Sequence, residues 1–448
     1  MGEVRVVLFP VPFQGHINPM LQLAEILYSK GFSITIIHTQ FNSPSPSKNP
    51  HFFTFRSFPD GLSETEISGG GVLELITLLN ARCVEAFANC LREELAAAQR
   101  VACLITDAHW HFTQRVAHAF ALPRIVLRTA NISAFLAMLA LPSLPNFPLN
   151  LTMNIAEEKM EDPVPDLPHL KMKDIPAVKT SQNPHLIEQL MSSVLRETKA
   201  SSGLIFNSFD ALEHEPLVRC RNLFSPIPIF PLGPFHKHLP PTIPAATDPP
   251  PDHASIISWL DTNPPKSVLY VCFGTLAAVD RDEFVEIASG LAKCSHPFLW
   301  VVRPGMASGS EWVPEGFDER WARGGGGLVV KWAPQREVLA HPAVGGFWTH
   351  SGWNSTIESI CEGVPMLCYP FFGDQMANAR YVCDVWGIGA LLERRQIEKG
   401  ITRFMAERES GGMMNRIKGF KDMADSCLKQ GGSTFLSLQN LVDYILNI

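Results

Sequence analysis

The sequence predicts an α/β protein with two doubly wound domains, each built on a parallel sheet. Short apolar runs with the length and composition of buried strands alternate with amphipathic, helix-like segments along most of the chain. A proline-rich stretch without periodicity, residues 236–254, interrupts this alternation, which then restarts. We therefore expect two open α/β halves joined by a linker. Ligands of such sheets bind outside the carboxyl ends of the strands and in clefts between domains.

The composition is that of a globular protein with large cores. The chain has 448 residues, of which 46% are hydrophobic and 18% charged. A net charge of −7 without a basic block weighs against nucleic acid or an anionic membrane as a partner. The ten cysteines form no C-x-x-C pair, which indicates free thiols in a reducing compartment. Without a signal-peptide pattern or a membrane-spanning run, we expect a cytoplasmic monomer.

In the N-terminal half, the pattern predicts six strands separated by helices or turns. The clearest helical patterns cover residues 72–98 and 112–121. Residues 141–185 are rich in proline and lack clean periodicity, so we expect an irregular excursion there. The predicted strands are residues 4–12, 33–39, 52–55, 103–106, 125–127 and 204–206.

In the C-terminal half, a polar turn stands between a strand and a helix. Residues 344–349 form a short apolar run, His350, Ser351 and Gly352 break it, and a helix opens at Trp353. Backbone N–H groups at such a helix N-terminus suit a phosphate, although an ordinary corner capped by Ser or Asn is the alternative. The predicted strands of this half are residues 268–273, 298–302, 328–330, 344–349 and 365–372.

The region around this turn carries a recognisable pattern. Residues 332–375 resemble the signature box of plant family-1 UDP-sugar glycosyltransferases, and the resemblance extends across nearly all of the chain. The matching positions are Trp332-Ala333-Pro334-Gln335, His350-x-Gly352-Trp353-Asn354-Ser355, Glu358 and Asp374-Gln375. One departure is Ser351, where relatives usually carry Cys. Because the family uses this turn through its backbone, we expect little effect.

The resemblance implies the GT-B architecture, in which two Rossmann-like domains face a cleft. It implies an acceptor-binding domain over residues 1–235, the linker 236–254 and a UDP-sugar-binding domain over residues 255–432. Residues 433–448 are expected to form a helix that packs back on the N-terminal domain.

The donor site implied by the resemblance follows the parts of a UDP-sugar. Trp332 stacks on the uracil, Ala333 and Gln335 bind its edge, and Glu358 accepts hydrogen bonds from the ribose. Asp374 and Gln375 bind the sugar hydroxyls, and glutamine at the last position is the family's usual sign of glucose. The diphosphate is expected at His350, Asn354, Ser355 and Thr275, and Trp353 belongs to the same donor site.

His16 and Asp107 are the candidate catalytic pair. His16 lies just past the first predicted strand, and an imidazole is matched to removing a proton from a hydroxyl near neutral pH. Asp107 ends another strand and therefore points toward the same sheet edge. From the residues alone, a cap or a surface residue is the favoured interpretation of His16, and a cap of the next helix is the favoured interpretation of Asp107. The resemblance implies that His16 is the general base and that Asp107 supports it.

The acceptor is the least defined partner. The resemblance implies a small apolar metabolite held by Phe13, Gln14, Trp110, Phe135 and Gly373. The subgroup that the chain resembles most acts on cytokinins, diterpenoids, flavonols and small hydroxy acids. We expect no cofactor and no metal, since UDP-glucose is a co-substrate.

Three other motifs have simpler interpretations. Asp280-Arg281-Asp282 is a literal D-x-D, but it opens an amphipathic helix, and we interpret Asp280 as its N-cap. Asp107, His109 and His111 stand at alternate positions, a spacing that could place zinc ligands on one face of a strand. However, no second ligand cluster follows in the sequence. Four glycines at 324–327 lack the spacing of a nucleotide-binding loop, so we expect a flexible loop.

The sequence as a whole predicts an inverting transfer of glucose from UDP-glucose to a hydroxyl or carboxyl group. A catalytically silent UDP-sugar-binding protein is one alternative, and the presence of both His16 and Asp107 weighs against it. A nicotinamide-dependent oxidoreductase is another, and the absence of a dinucleotide fingerprint weighs against it.

Overall fold

A computed structural model describes residues 4–44, 52–97, 99–140, 160–175, 186–238, 253–306, 326–394, 396–410 and 412–448. Its strands are β1 Arg5–Phe9, β2 Ser33–Thr39, β3 Thr54–Phe58, β4 Val101–Asp107, β5 Arg124–Arg128, β6 Pro163–Val164, β7 Leu167–Lys171, β8 Gly203–Phe206, β9 Ile229–Pro231, β10 Val268–Cys272, β11 Phe298–Val301, β12 Gly327–Val330, β13 Val344–Thr349, β14 Met366–Cys368 and β15 Gly389–Leu391. Its α-helices are α1 Gln14–Ser29, α2 Glu64–Gly69, α3 Val72–Ala96, α4 Thr113–Ala119, α5 Ile132–Ala140, α6 Leu186–Lys199, α7 His214–Phe224, α8 His253–Asp261, α9 Arg281–Lys293, α10 Gln335–Ala340, α11 Trp353–Glu362, α12 Gln375–Arg380, α13 Ile397–Ser410, α14 Met413–Leu428 and α15 Ser433–Asn447.

The N-terminal sheet is parallel, and its strand order is β3-β2-β1-β4-β5-β8-β9. The order changes direction at β1, which pairs with β2 on one side and β4 on the other. Its central strands are buried along their length because helices cover a parallel sheet on both faces. At the β1/β4 switch point the connections that leave the carboxyl ends of the two strands run in opposite directions. Open α/β sheets bind ligands at such a point.

The C-terminal sheet is also parallel, with the order β12-β11-β10-β13-β14-β15. Its switch point lies between β10 and β13, so the turns that follow these two strands meet at one edge. One core cluster of this sheet surrounds Trp300 and Trp348, which have no exposed surface. The two parallel sheets confirm the predicted α/β fold class.

The chain divides into two compact units. The first comprises Met1–Leu167, Ala177–Thr247 and Ser426–Ile448, and the second comprises Pro168–Pro176 and Asp248–Asp425. The segment Pro168–Pro176 belongs to the second unit although its position in the chain is N-terminal. Arg380 holds it there by donating to Asp174 from Nε at 2.7 Å and from Nη2 at 3.1 Å.

The last helix, α15, belongs to the first unit. Leu438, Leu441 and Ile445 on one face of the helix enter the core that β1, β2 and β4 share. At its start, Thr434 Oγ1 donates to the carbonyl of Gly233 at 2.8 Å. None of the helices in the described ranges has both the length and the apolar character that crossing a bilayer requires.

The predicted and observed elements differ mainly at their ends. The strands predicted at residues 33–39 and 344–349 match β2 and β13, whereas the run predicted at 365–372 contains only three strand residues, β14. The short strands β9 and β15 were not predicted. Most of the predicted linker, residues 239–252, lies outside the described residues, as do residues 141–159 and 176–185 of the predicted excursion and two of the four glycines at 324–327.

Candidate active site

The candidate catalytic cluster forms where three neighbouring strands of the first unit end. β1 leads into α1, whose first turn carries His16. β4 ends at Asp107, and β5, paired with β4, ends at Arg128 and is followed by Thr129. Because the strands are parallel and adjacent, their carboxyl ends bring these side chains to one sheet edge.

His16 and Asp107 are in direct contact. His16 Nδ1–H donates to Asp107 Oδ2 at 2.6 Å, and Thr129 Oγ1 lies 3.1 Å from the same nitrogen. The Asp107 side chain is almost wholly buried, whereas 20% of the His16 side chain remains exposed. The carboxylate thus selects the tautomer of His16 that leaves Nε2 with a lone pair for a proton.

The second oxygen of Asp107 is bound by His109. The backbone N–H of His109 donates to Oδ1 at 2.9 Å, and its ring Nδ1 donates to the same oxygen at 3.0 Å. Burial by itself would raise the pKa of Asp107. The charge of His16 and the hydrogen bonds from both imidazoles outweigh burial and hold this pKa well below its ordinary value. Asp107 is therefore an anion at neutral pH.

Arg128 lies behind His109. Its Nη1 donates to His109 Nε2 at 3.1 Å, and its guanidinium lies 5.2 Å from the centre of the Phe135 ring. Burial first, and the charge of Arg128 second, lower the pKa of His109 to about 4. His109 is therefore a neutral imidazole between a buried anion and a buried cation.

The geometry of this cluster bears on the alternative of a zinc site at Asp107, His109 and His111. His16, Asp107 and His109 offer ligand atoms within 4.8 Å of one another, but His111 does not belong to this group. β4 ends at Asp107, so residues 108–112 do not alternate along a strand as the zinc interpretation assumed. Arg128 also places a positive charge 3.1 Å from His109 Nε2, which opposes the binding of a cation beside it.

Two of the residues predicted to bind the acceptor are core residues here. Trp110 has no exposed surface and stacks on Phe9 at a centroid distance of 4.6 Å. Phe135 is 1% exposed and packs on Phe206 and Phe224. In this structure Trp110 is packed as a core residue, and its role as a pocket wall stays a prediction. Phe13 is buried, Gln14 is exposed at the start of α1, and Gly373 is half-buried in a turn.

In the second unit, the turn between β13 and α11 has no side-chain cap. Gly352 is the N-cap residue and, having no side chain, leaves the helix N-terminus open to an anion. Ser351 is buried with a φ of 63°, a left-handed conformation, and its carbonyl accepts from Asn378 Nδ2 at 2.8 Å. The corner capped by Ser or Asn is thus not what the chain forms.

His350 lies between two glycines at this turn. A Cβ on Gly274 would stand 2.7 Å from His350 Nε2, and one on Gly352 would stand closer still, so only glycine fits at either position. Burial lowers the pKa of His350 to about 4, against a smaller opposing effect of its hydrogen bond to the Cys272 backbone. At neutral pH the His350 ring is therefore neutral in this structure, and its role in offsetting the diphosphate charge stays a prediction.

The predicted nucleotide residues at the start of α10 and α11 are joined by hydrogen bonds. Gln335 Nε2 donates to Glu358 Oε2 at 2.7 Å and to Ser355 Oγ at 3.0 Å. Burial raises the pKa of Glu358, and the bond from Gln335 opposes that rise. Trp332 stands beside this group with 47% of its surface exposed, and Ala333 is buried.

The remaining donor residues occupy different surroundings. Gln375 is buried and its Oε1 accepts from the N–H groups of Phe371 at 2.8 Å and Phe372 at 3.1 Å. Only its amide nitrogen is left for a ligand. Asp374 precedes α12, where its Oδ2 accepts from Asn378 at 3.2 Å. Thr275 is exposed after β10, Asn354 lies in the first turn of α11, and Trp353 is buried near Trp386.

The D-x-D motif has the structural role that was predicted. Asp280 is the N-cap of α9, and its Oδ1 accepts from the N–H of Glu283 at 2.8 Å. This interaction leaves helix capping as the explanation for the motif.

The comparison that decides the family is with curated plant proteins. The chain is 46% identical to UDP-glycosyltransferase 76B1 of Arabidopsis thaliana over 99% of this chain and 98% of that one. It belongs to the plant family-1 UDP-glycosyltransferases. A profile described as UDP-glucoronosyl and UDP-glucosyl transferase matches residues 243–405 of this UDP-glycosyltransferase. The nicotinamide-dependent alternative is therefore wrong.

Two further proteins resemble this UDP-glycosyltransferase along its whole length. The flavonol 3-O-glucosyltransferase UGT76E12 of Arabidopsis thaliana is 38% identical over 98% of this chain and 96% of its own. Phytolacca americana UGT2, solved with UDP-2fluoro-glucose and pterostilbene, is 26% identical with a TM-score of 0.81 over 99% of both chains. The fold is GT-B, and the protein is a UDP-sugar-dependent glycosyltransferase.

The resemblance and the structure differ in what they reveal about this site. The family resemblance named the donor residues, most of them in the signature box, and it named the pair His16–Asp107 from other segments of the sequence. His109 was considered only as a zinc ligand, and Arg128 and Thr129 were not considered. The signal available for His109 was its position two residues after a strand-ending aspartate, since a side chain there can turn back onto the carboxylate. Arg128 and Thr129 are 21 and 22 positions from Asp107 (128 − 107 and 129 − 107) and had no such signal.

Proposed function

We propose that this UDP-glycosyltransferase transfers glucose from UDP-glucose, with inversion, to a hydroxyl or carboxyl group of a small apolar plant metabolite. The observation that carries the proposal is the 2.6 Å contact between His16 Nδ1 and Asp107 Oδ2. Because Nδ1 carries the proton that Asp107 binds, the other ring nitrogen, Nε2, has a lone pair and can act as the base. His16 Nε2 makes no hydrogen bond with any residue that the structure describes.

In the proposed reaction, His16 Nε2 takes the proton of the acceptor hydroxyl as the acceptor oxygen bonds to C1 of the sugar. The bond between C1 and the diphosphate oxygen breaks, and its electron pair leaves with UDP. Asp107, an anion, stabilises the imidazolium that forms on His16. A carboxylic acid acceptor is already ionised at neutral pH and does not need this base.

Inversion is proposed because a retaining route needs a carboxylate nucleophile beneath C1. Both oxygens of Asp107 are occupied, Oδ2 by His16 and Oδ1 by the backbone and ring of His109. Asp374 is the other candidate, and the proposal assigns it to the sugar hydroxyls. Direct displacement on an α-linked donor then yields a β-glucoside.

The donor assignment is supported by the donors of related proteins and by the residues of the second unit. One relative is named a glucosyltransferase, and one solved relative holds a fluorinated UDP-glucose. We assign the uracil to the exposed face of Trp332, the ribose to Glu358 and the diphosphate to the open N-terminus of α11. The proposal requires no metal, because backbone N–H groups supply the positive potential that the leaving diphosphate needs.

The experiment is an acceptor screen with UDP-glucose, in which a hexose gain by mass spectrometry identifies substrates. Proton NMR of the product should show the large axial–axial anomeric coupling of a β-glucoside, with or without EDTA. His16→Ala should abolish transfer to a hydroxyl, leave UDP affinity unchanged and impair a carboxylic acid acceptor much less. An α-glucoside would contradict the mechanism, and loss of activity in EDTA would contradict the metal-free step.

A further inference from the structure

The base pair His16–Asp107 does not end at Asp107. Asp107 Oδ1 accepts from the His109 ring at 3.0 Å, and His109 Nε2 in turn accepts from Arg128 Nη1 at 3.1 Å. Four side chains from the ends of three adjacent strands therefore form one chain of hydrogen bonds that starts at His16 and ends at Arg128.

The chemistry of these groups permits one arrangement of protons. The ionised Asp107 Oδ1 can only accept, so the proton of the neutral His109 ring is on Nδ1, which faces it. His109 Nε2 then carries the lone pair. Arg128 Nη1 lies 3.1 Å from Nε2 and 3.4 Å from Nδ1, and because Arg128 can only donate, its hydrogen bond to Nε2 favours the same tautomer.

The backbone of His109 is also anchored. Asn80 on α3 donates from Nδ2 to the carbonyl of His109 at 2.9 Å, and it also donates to the carbonyl of Ile76 within its own helix. Asn80, His109 and Arg128 are all buried. The position of the His109 ring is therefore set from two sides, by α3 through its backbone and by β5 through its ring.

We infer that His109, locked by Arg128, is a positioning residue that orients the Asp107 carboxylate toward His16 and keeps it ionised. This inference rests on the proposed function, since it assigns a role only if His16 is the base. Asp107 is buried and would favour protonation without donors. Two donors from His109 on Oδ1 leave Oδ2 for His16 alone, so the proton taken from the acceptor stays on His16.

The polar and ionisable groups that face this chain come from four elements. α1 contributes His16, and the end of β4 contributes Asp107 with His109 in the turn after it. β5 contributes Arg128 and also Arg124. Burial lowers the pKa of Arg124, and the charges of Glu197 and Asp107 oppose that lowering. α3 contributes neutral Asn80 in the part of the chain that the structure describes. His16 is thus the group expected to exchange its proton during turnover.

Two amide substitutions at His109 separate its two hydrogen bonds. In His109→Asn the amide reaches the position of Nδ1 and can still donate to Asp107. In His109→Gln the amide reaches the position of Nε2, so it satisfies Arg128 and leaves Asp107 without the side-chain donor. Both variants are polar beside a buried cation, and thermal melts with UDP calorimetry report whether each is folded.

Two readouts are measured on both variants. With kaempferol as the hydroxyl acceptor, His109→Gln should lower kcat/KM at least tenfold, the size of one hydrogen bond to a charged group, and His109→Asn should recover most of it. With benzoate as the acceptor, both variants should match the wild type. Independently of any acceptor, the imidazole ¹⁵N shifts of His16 should differ between His109→Gln and the wild type. A carboxylate with fewer donors attracts the proton on His16 more strongly.

The outcomes separate this inference from the function on which it rests. If His16→Ala and Asp107→Asn abolish transfer to kaempferol while His109→Gln matches the wild type in rate and in the ¹⁵N shifts of His16, His109 is a spectator and the inference is wrong. If His16→Ala retains transfer to kaempferol, the proposed function itself fails. Equal losses with both acceptors, or no difference between the Asn and Gln variants, would assign His109 a merely structural role. If neither acceptor is turned over, the ¹⁵N shifts of His16 decide: a change in His109→Gln supports the inference, and identical shifts refute it.

Discussion

Replacing Asp107 with Asn should disable the base without disturbing the fold. The carboxylate has two oxygens with different partners: Oδ1 accepts twice, from the backbone N–H and ring of His109, and Oδ2 accepts once, from His16. An Asn side chain has one oxygen and one NH₂ group. Two bonds outweigh one, so the oxygen should face His109 and the NH₂ group should face His16 Nδ1.

That orientation forces His16 into the other tautomer. A donor beside Nδ1 requires a lone pair there, which moves the ring proton to Nε2 and removes the lone pair that accepts the acceptor's proton. Loss of one charge-assisted hydrogen bond alone is about 1.5–3 kcal/mol, a rate loss of about ten- to 150-fold. The same tautomer change in a Ser-His-Asp triad lowers kcat by about 10⁴. We therefore expect a loss of about 10³–10⁴ in kcat for hydroxyl acceptors.

The assay is steady-state UDP release at saturating UDP-glucose with a phenolic and a carboxylic acceptor, beside circular dichroism melts. Asp107→Asn should keep its UDP affinity and its melting temperature, lose phenol turnover and retain most carboxylate turnover. A loss below tenfold with phenol would refute the tautomer argument. A large drop in melting temperature would show that the charge of Asp107 serves folding instead.

The other predictions concern the second unit. Trp332→Ala should weaken UDP binding by about 1–3 kcal/mol in calorimetry, because the ring is 47% exposed and free to stack; unchanged affinity would leave it without a role in nucleotide binding. Gln375→Glu keeps the oxygen that binds the N–H groups of Phe371 and Phe372 and replaces the remaining NH₂ group. We therefore expect kcat/KM for UDP-glucose to fall while the affinity for UDP is unchanged. Equal losses in both would show that Gln375 does not recognise the sugar. The pKa of His350 is about 4 in the folded chain against an ordinary value of 6.5, so between these pH values the unfolded chain binds more protons. The stability that the neutral ring contributes is therefore fully present above pH 6.5 and declines as the pH falls toward 4, which urea melts at a series of pH values can measure. His350→Asn should make that decline shallower, and an identical decline in both proteins would refute the assignment.

The local pattern of apolar and polar residues determined the strands of both sheets and the helices between them. Buried parallel strands are continuous apolar runs, so residues 33–39 and 344–349 could be read as β2 and β13 without tertiary information. The end of each strand also located His16, Asp107 and the turn at His350, because side chains at the carboxyl ends of parallel strands share one edge. Short strands such as β9 and β15 were missed, since three residues carry too little pattern.

Tertiary structure decided which of these side chains are functional surfaces and which are core. Trp110 and Phe135 read as pocket walls because aromatic side chains suit apolar ligands, but stacking on Phe9 and packing on Phe224 bury them. Composition cannot separate an aromatic wall from an aromatic core, because both bury apolar area for the same gain.

The protonation states of the site were also beyond the sequence. His350 was expected to supply charge, and in the structure desolvation lowers the pKa of its ring to about 4. His109 donates from Nδ1 to Asp107, and Arg128, on another strand, donates to its other nitrogen. Such states depend on solvation and on partners distant in sequence, so the sequence alone determined which groups can ionise, and the fold determined which of them do.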